Sequence, residues 1–344
     1  IMSVLDDIQK SFIKKESIYG PDNYKPLPVV LSKAKGVWVW DVSEKKYLDM
    51  MSGYSAVSHG HAHPVLLKTF HDQSSRLSLT SRAFYTDTLG PYLETITQMT
   101  GFEMALPMNS GAEAVETAIK SSRRWAYRTK KVEENKAEII VAEGNFHGRT
   151  TTIISFSTDE NSRKDFGPHT PGFVAVEYGS SKAIEDAITP NTAAVIIEPI
   201  QGEGGIIVPP DNYLNEVRAI CTKHNVLMIL DEIQSGLGRT GKLFAYQHSC
   251  GQCSCGENSC DVQPDGLILG KALGGGFMPV SVFLSSEEVL SWMDPGSHGS
   301  TFGGNPLASA LAKRSLELLY EENLIENSRV MGDYFKEQLT ALNS

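Results

Sequence analysis

The chain has 344 residues, 41% hydrophobic and 21% charged, with a formal net charge of −10. This is a globular composition with length enough for one substantial core and a smaller second unit, and its negative balance argues against broad binding to nucleic acid or an acidic membrane. No apolar run reaches transmembrane length, and residues 1–20 resemble neither a signal peptide nor an arginine-rich transit sequence. A cytoplasmic location is therefore expected, with the mitochondrial matrix open if a presequence has been removed.

The first long helical pattern is "GAEAVETAIKSSRRWAYRTK", residues 111–130, rich in helix formers and without a breaker after Gly111. Short apolar runs follow at 138–142, 193–199, 226–232 and 266–270. Each is too short for a helix and apolar almost throughout, the pattern of parallel strands covered on both faces. Between the second and third runs, Leu214, Val217, Ile220 and Cys221 recur at helical spacing, which makes a βαβ unit with a right-handed crossover. Residues 279–286 predict another strand, and the chain beyond residue 305 predicts two amphipathic helices. The fold class is α/β, with a mostly parallel central sheet and helices on both faces.

In such sheets, ligands lie beyond the carboxyl ends of the strands. There the sequence places Asp231 (in "VLMILDEIQSG"), Glu198 and Glu203 (in "AVIIEPIQGEGG") and Lys271 (in "GLILGKALGGG"). A lysine at the end of a buried strand is either a loop cation or an amine nucleophile that holds a carbonyl cofactor as a Schiff base. Asp231 is either a turn residue or the partner of a protonated ring nitrogen. Together, Lys271 and Asp231 match the two requirements of a pyridoxal phosphate site. Ser110, Gly111 and Ala112 open the 111–130 helix, where backbone N–H groups can cradle a phosphate, although a simple N-cap gives the same pattern. In "EGNFHGRTT", Phe146 can cover a pyridine ring and Arg149 can fork onto a carboxylate; a core phenylalanine and a surface arginine are the alternatives.

"NSGAEAVETAIK", "NFHGRT", "EPIQGEGG", "LDEIQSGLGRTG", "LGKALGGG" and "HGSTFGGNP" occur in the order found in class III aminotransferases of pyridoxal phosphate fold type I, and the chain resembles that family from about Tyr19 onward. The resemblance implies that Lys271 carries the cofactor, Asp231 holds its ring nitrogen, and Gln234 bonds the ring hydroxyl. It implies further that Ser110, Gly111 and Ala112 hold the phosphate and that Phe146 and His147 pack on the ring. Ser300 and Thr301 would reach the cofactor phosphate of a neighbouring subunit, which requires a homodimer with shared sites. Tyr24, Tyr54, Arg149 and Glu203 stand where the branch acting on L-ornithine and 2-oxoglutarate has its substrate residues; the acetylornithine and 4-aminobutyrate branches are the alternatives. The family partner of Glu203, an arginine, would lie beyond residue 344. The implied division is an N-terminal segment of the small domain (1–50), a large cofactor-binding domain (51–305) and the start of an incomplete C-terminal small domain (306–344).

Two stretches suggest metal. Cys250, Cys253, Cys255 and Cys260 form a C-x2-C-x-C-x4-C run that could hold zinc, though it is tighter than paired Cys-x2-Cys knuckles, and disulfides or free thiols compete. On that reading the chain would be a non-catalytic metal-binding or interaction protein on the same scaffold. His59, His61 and His63 in "HGHAHP" also have a metal-like spacing, but the family uses this stretch as a turn.

Overall fold

The computed structural model describes residues 7–250 and 261–342. Its core is a seven-stranded sheet built from β4 (Met104–Met108), β5 (Glu138–Ala142), β6 (Phe173–Val176), β7 (Thr192–Ile197), β8 (Leu227–Asp231), β9 (Gly266–Leu269) and β10 (Ser281–Ser285). The spatial order is β4-β10-β9-β8-β7-β5-β6. Strands β6, β5, β7, β8 and β9 are mutually parallel. Strand β10 runs antiparallel to both β9 and β4, so β4 again points the same way as the parallel set. Three more strands, β1 (Leu31–Lys35), β2 (Trp38–Asp41) and β3 (Lys46–Leu48), make a separate antiparallel sheet.

The continuous apolar runs follow from burial on two sides. Ile139, Val141, Ile196, Ile229 and Ile268 point to one face, where Ala114, Val115, Ala118 and Ile119 of the Gly111–Trp125 helix meet them. Their neighbours Ile140, Val195, Ile197, Met228, Leu230 and Leu267 point to the other, against Leu214, Val217 and Cys221 of the Tyr213–His224 helix. The period-two alternation of a strand thus divides each run between two helical layers.

Helix ends follow local chemistry. Ser110 and Glu113 form a reciprocal capping box at the start of the Gly111–Trp125 helix, which continues as a wider turn over Ala126–Lys130 instead of staying α-helical to residue 130. Asn305 caps the Pro306–Glu321 helix by accepting from the Ala308 N–H. This helix starts at the boundary expected for a second domain, yet Ala312, Leu316 and Leu319 enter the same core as β8 and β9. The following helix, Leu324–Leu342, buries no residue. No helix among the described residues is long and apolar enough to cross a membrane.

Candidate active site

Because β4, β5, β7, β8 and β9 share one direction, their carboxyl ends meet at one edge of the sheet. Each delivers one part of a single cleft, lined among others by Gly111, Phe146, Glu198, Asp231, Gln234 and Lys271.

Lys271 follows Gly270 at the end of β9, with its backbone in the left-handed region (φ 44°). That conformation costs an L-residue about 1 kcal/mol, and here it marks the residue carrying the amine. Burial pulls the amine below the ordinary lysine pKa, against the opposing pull of Glu203, Asp231 and Glu198. Its nearest carboxylate is Glu203, whose Oε1 lies 4.0 Å from Nζ and also accepts from Gln234 Nε2 at 3.0 Å.

Asp231, only 4% exposed, ends β8. Its Oδ1 accepts from the Ile233 N–H at 3.0 Å and its Oδ2 from His147 Nδ1–H at 2.6 Å. Burial disfavours a charged His147, but the Asp231 bond and the negative charges of Asp231 and Glu198 outweigh it and hold the imidazole above its usual pKa. The adjacent Glu232 takes no part in the cleft. It is buried and accepts from Ser235 Oγ and from the Ala245 and Tyr246 N–H groups, so the acid pair divides into one acid for the cleft and one for the loop behind it.

Glu198 follows β7. Its Oε2 accepts from the Phe146 N–H at 3.1 Å and its Oε1 from the Gly202 N–H at 3.4 Å, which joins the Phe146 segment to the turn that carries Glu203. Burial, opposed by His147 and aided by Asp231, raises its pKa to about 7.

At the end of β4, Gly111 and Ala112 are the first helical residues, and their N–H groups have no intrahelical acceptor. They face the same cleft as Lys271 and Asp231. Gly148 (φ 126°) packs so closely on this helix start that a Cβ there would lie 2.8 Å from the Ala112 Cβ. The corner is an anion cradle: N–H groups at the positive end of a helix dipole, with small residues allowing close approach.

Lys271, Asp231, Gly111, Ala112, Phe146, His147, Gln234 and Glu203 are thus brought together. Arg149 stands beside them, its guanidinium 5.7 Å from the Phe146 ring centroid, lining an adjoining cavity with Glu203. Ser110, Ser300, Thr301, Tyr24 and Tyr54 do not line the cleft. Ser110 caps the helix, and Tyr24 and Tyr54 are 63% and 56% exposed. Ser300 Oγ accepts from Asn109 Nδ2 at 2.7 Å. Asn109 went unnoticed in the sequence although it directly precedes the cap; it ties Ser300 to Glu113 of the capping box. Glu198 was visible at its strand end, but its clasp on two loops was not.

The histidines of "HGHAHP" go to three different partners: the Ser315 carbonyl, Asp49 and Glu322. Among the described residues no group of three or more His, Cys, Asp or Glu is arranged to hold a metal ion. Cys253, Cys255 and Cys260 of the cysteine run lie outside the described residues.

Comparison with known proteins agrees with this geometry. The class-III aminotransferase family model matches residues 19–344. The ornithine aminotransferase of Brevibacillus brevis is 54% identical over 332 residues, covering 96% of this chain and 80% of the relative. A solved ornithine aminotransferase of Toxoplasma gondii, described with partial occupancy of PLP at its active site, superposes with a TM-score of 0.92 at 42% identity, covering 96% of this chain and 75% of that one. The acetylornithine aminotransferase of Elizabethkingia anophelis superposes with a TM-score of 0.84 at 45% identity, covering 97% and 79%. A lysine amine, a buried carboxylate and a helix N-terminus at one sheet edge, together with these matches, establish that the chain belongs to the class III aminotransferases.

Proposed function

We propose that the chain is a pyridoxal-phosphate-dependent transaminase that moves the δ-amino group of L-ornithine to 2-oxoglutarate, giving glutamate-5-semialdehyde and glutamate. The observation carrying this reading is that Lys271, Asp231 and the Gly111–Ala112 cradle line one cleft. Pyridoxal phosphate has an aldehyde, a basic ring nitrogen and a phosphate, and the cleft supplies an amine, a carboxylate and open N–H groups. When bound, it supplies an electron sink for the carbon that loses its proton.

The chain's own residues do the rest. Lys271 would hold the aldehyde carbon and, once the substrate amine displaces it there, would take and return the substrate proton as a neutral amine; its lowered pKa favours that form. Asp231 keeps the ring nitrogen positive. Gly111 and Ala112 hold the phosphate, Phe146 covers the ring, and Gln234 bonds the ring hydroxyl. Arg149, beside the cleft, would hold the α-carboxylate group of ornithine away from the reacting end, so that the δ-amine enters, whereas Tyr24 and Tyr54, the other substrate positions the resemblance implies, stand outside the cleft lining. Glu203, within reach of both Gln234 and Lys271, marks the substrate side of the cleft.

Ser300 and Thr301 complete the phosphate site of a neighbouring subunit in a homodimer, and the enzyme works in the cytoplasm. Residues 1–50 and the chain after the Pro306–Glu321 helix, which itself packs in the main core, contribute to a small domain beside the large one.

The acetylornithine reading has the support of the Elizabethkingia anophelis likeness. Steady-state rates with ornithine, N-acetylornithine and 4-aminobutyrate, each with 2-oxoglutarate, separate the readings. Ornithine is expected to give the highest kcat/KM by at least about tenfold, a difference of about 1.4 kcal/mol in transition-state binding. A preference for either other amine contradicts the substrate assignment.

A further inference from the structure

The cavity that adjoins the cleft has a volume of about 380 Å³ and meets it along Phe146, His147, Gly148 and Glu203, which line both. Its outer part is polar and holds both signs of charge, Arg149 and Asp159. Arg149 packs on the Phe146 ring, and neither it nor Asp159 has an ion-pair partner among the described residues. Asn145 lines the same space and is only 7% exposed. Its Nδ2 donates to the Ala142 and Phe156 carbonyls, but its Oδ1 is buried with no partner among the described residues. A buried acceptor left unmet marks a place where a donor from a ligand belongs.

Two acids line this cavity, and they are not equivalent. Glu203 is committed to the cleft, since its Oε1 accepts from Gln234 and lies 4.0 Å from Lys271 Nζ. Asp159 is open to the cavity on one side. Its Oδ1 accepts from the Asn161 N–H at 3.0 Å as the cap of the Glu160–Arg163 turn, and its own N–H donates to Ser157 Oγ at 3.2 Å. Its Oδ2 has no partner among the described residues. The cap fixes the carboxylate in advance, so a ligand that binds Oδ2 has little side-chain freedom left to freeze.

A cation, an acid and an orphan acceptor in one cavity fit a ligand with a carboxylate and an ammonium on neighbouring atoms. Ornithine carries such a head three methylenes from its δ-amine. With the δ-amine at Lys271 and the carboxylate on Arg149, the α-ammonium needs groups that only accept, and Asp159 Oδ2 and Asn145 Oδ1 are such groups. N-acetylornithine has a neutral amide at that position, and 4-aminobutyrate has no nitrogen there.

We propose that Asp159 is a specificity-determining residue that reads the charge on the α-nitrogen of the amine donor, with Asn145 Oδ1 as the second acceptor. This rests on the ornithine reading above.

The test compares kcat/KM for ornithine with that for 5-aminopentanoate, which keeps the reacting amine and the carboxylate but lacks the α-amino group, in wild type and in Asp159→Asn. Asparagine caps a helical turn as well as aspartate does, so the variant removes the charge and keeps the fold. The wild-type ratio should favour ornithine. In the variant it should fall about tenfold, the low end for a charge-assisted hydrogen bond because Asp159 is exposed. The loss should lie with ornithine, while 5-aminopentanoate and N-acetylornithine hold or gain. Asp159→Ser, a second uncharged cap, should repeat the result. A residue that only holds its loop would slow all three donors by one factor, so an unchanged ratio in a variant that still prefers ornithine overturns this proposal alone. A wild-type enzyme that prefers N-acetylornithine or 5-aminopentanoate overturns the ornithine reading, and this proposal with it.

Discussion

Glu198 offers a quantitative test of the site's electrostatics. Its carboxyl titrates at about 7 against an ordinary 4.5, chiefly because it is buried. The folded chain therefore keeps this proton where the unfolded chain has released it. Below about pH 4.5 both states are protonated and the group is neutral to stability. Between about 4.5 and 7 the folded state loses stability by about 1.4 kcal/mol per pH unit, and above 7 the loss is constant at about 3 kcal/mol. Glu198→Gln is neutral at every pH and mimics the protonated acid toward the Phe146 and Gly202 N–H groups. Chemical denaturation of the cofactor-free protein, wild type against variant, should give nearly equal stabilities at pH 4.5. By pH 8 the variant should be more stable by about 3 kcal/mol. Glu232, also raised to about 7 by burial, contributes equally to both proteins and drops out of the difference. A stability difference that does not change with pH would refute the reasoning, as would a variant that loses ground as pH rises.

Further outcomes follow from single contacts. Gly148→Ala forces a Cβ to within 2.8 Å of the Ala112 Cβ at a φ of 126°, and should destabilise the protein by about 2 kcal/mol, read as a lower thermal midpoint together with weaker pyridoxal phosphate binding. Ser110→Ala removes the cap on the Glu113 N–H and should cost about 1 kcal/mol in denaturant titration. In the cofactor-free protein, Lys271 has its pKa lowered by burial, whereas Lys182 is raised by its hydrogen bond to Asp186. Limited amine modification at pH 8 should therefore label Lys271 before the far more exposed Lys182, and the reverse order, read by peptide mapping, would contradict the electrostatics described for the cleft.

The central strands were legible because burial on both faces removes polar residues from them: β5, β8, β9 and β10 fall within the predicted runs, and β7 starts one residue before its run. Strand β4 escaped notice because Pro107 interrupts its sequence; a proline is tolerable there since β4 lies at the sheet edge and pairs only with β10. The three-stranded sheet, "LSKAK", "WVWD" and "KYL", carries too many lysines and exposed residues for an apolar pattern to emerge. At the site, Lys271 and Asp231 stood out because each ends an apolar run with a charge. Their contacts did not: His147 and Asp231 are separated by 84 residues, and Asn109 and Ser300 by 191, and no local spacing records contacts made only when the strand ends converge. The metal-like spacing of the three histidines was set aside for a turn, and the structure sends these alternate residues to Ser315, Asp49 and Glu322 in three directions.

On the proposed function, Lys271 is the amine joined to a cofactor whose ring nitrogen faces Asp231. The most direct measurement is borohydride reduction of the purified protein loaded with pyridoxal phosphate, followed by peptide mapping. The expected result is a yellow protein that loses its visible band on reduction and carries the pyridoxyl group on Lys271 alone, with Lys271→Ala colourless and unlabelled. A colourless wild-type protein, or a pyridoxyl group on any other lysine, would contradict it.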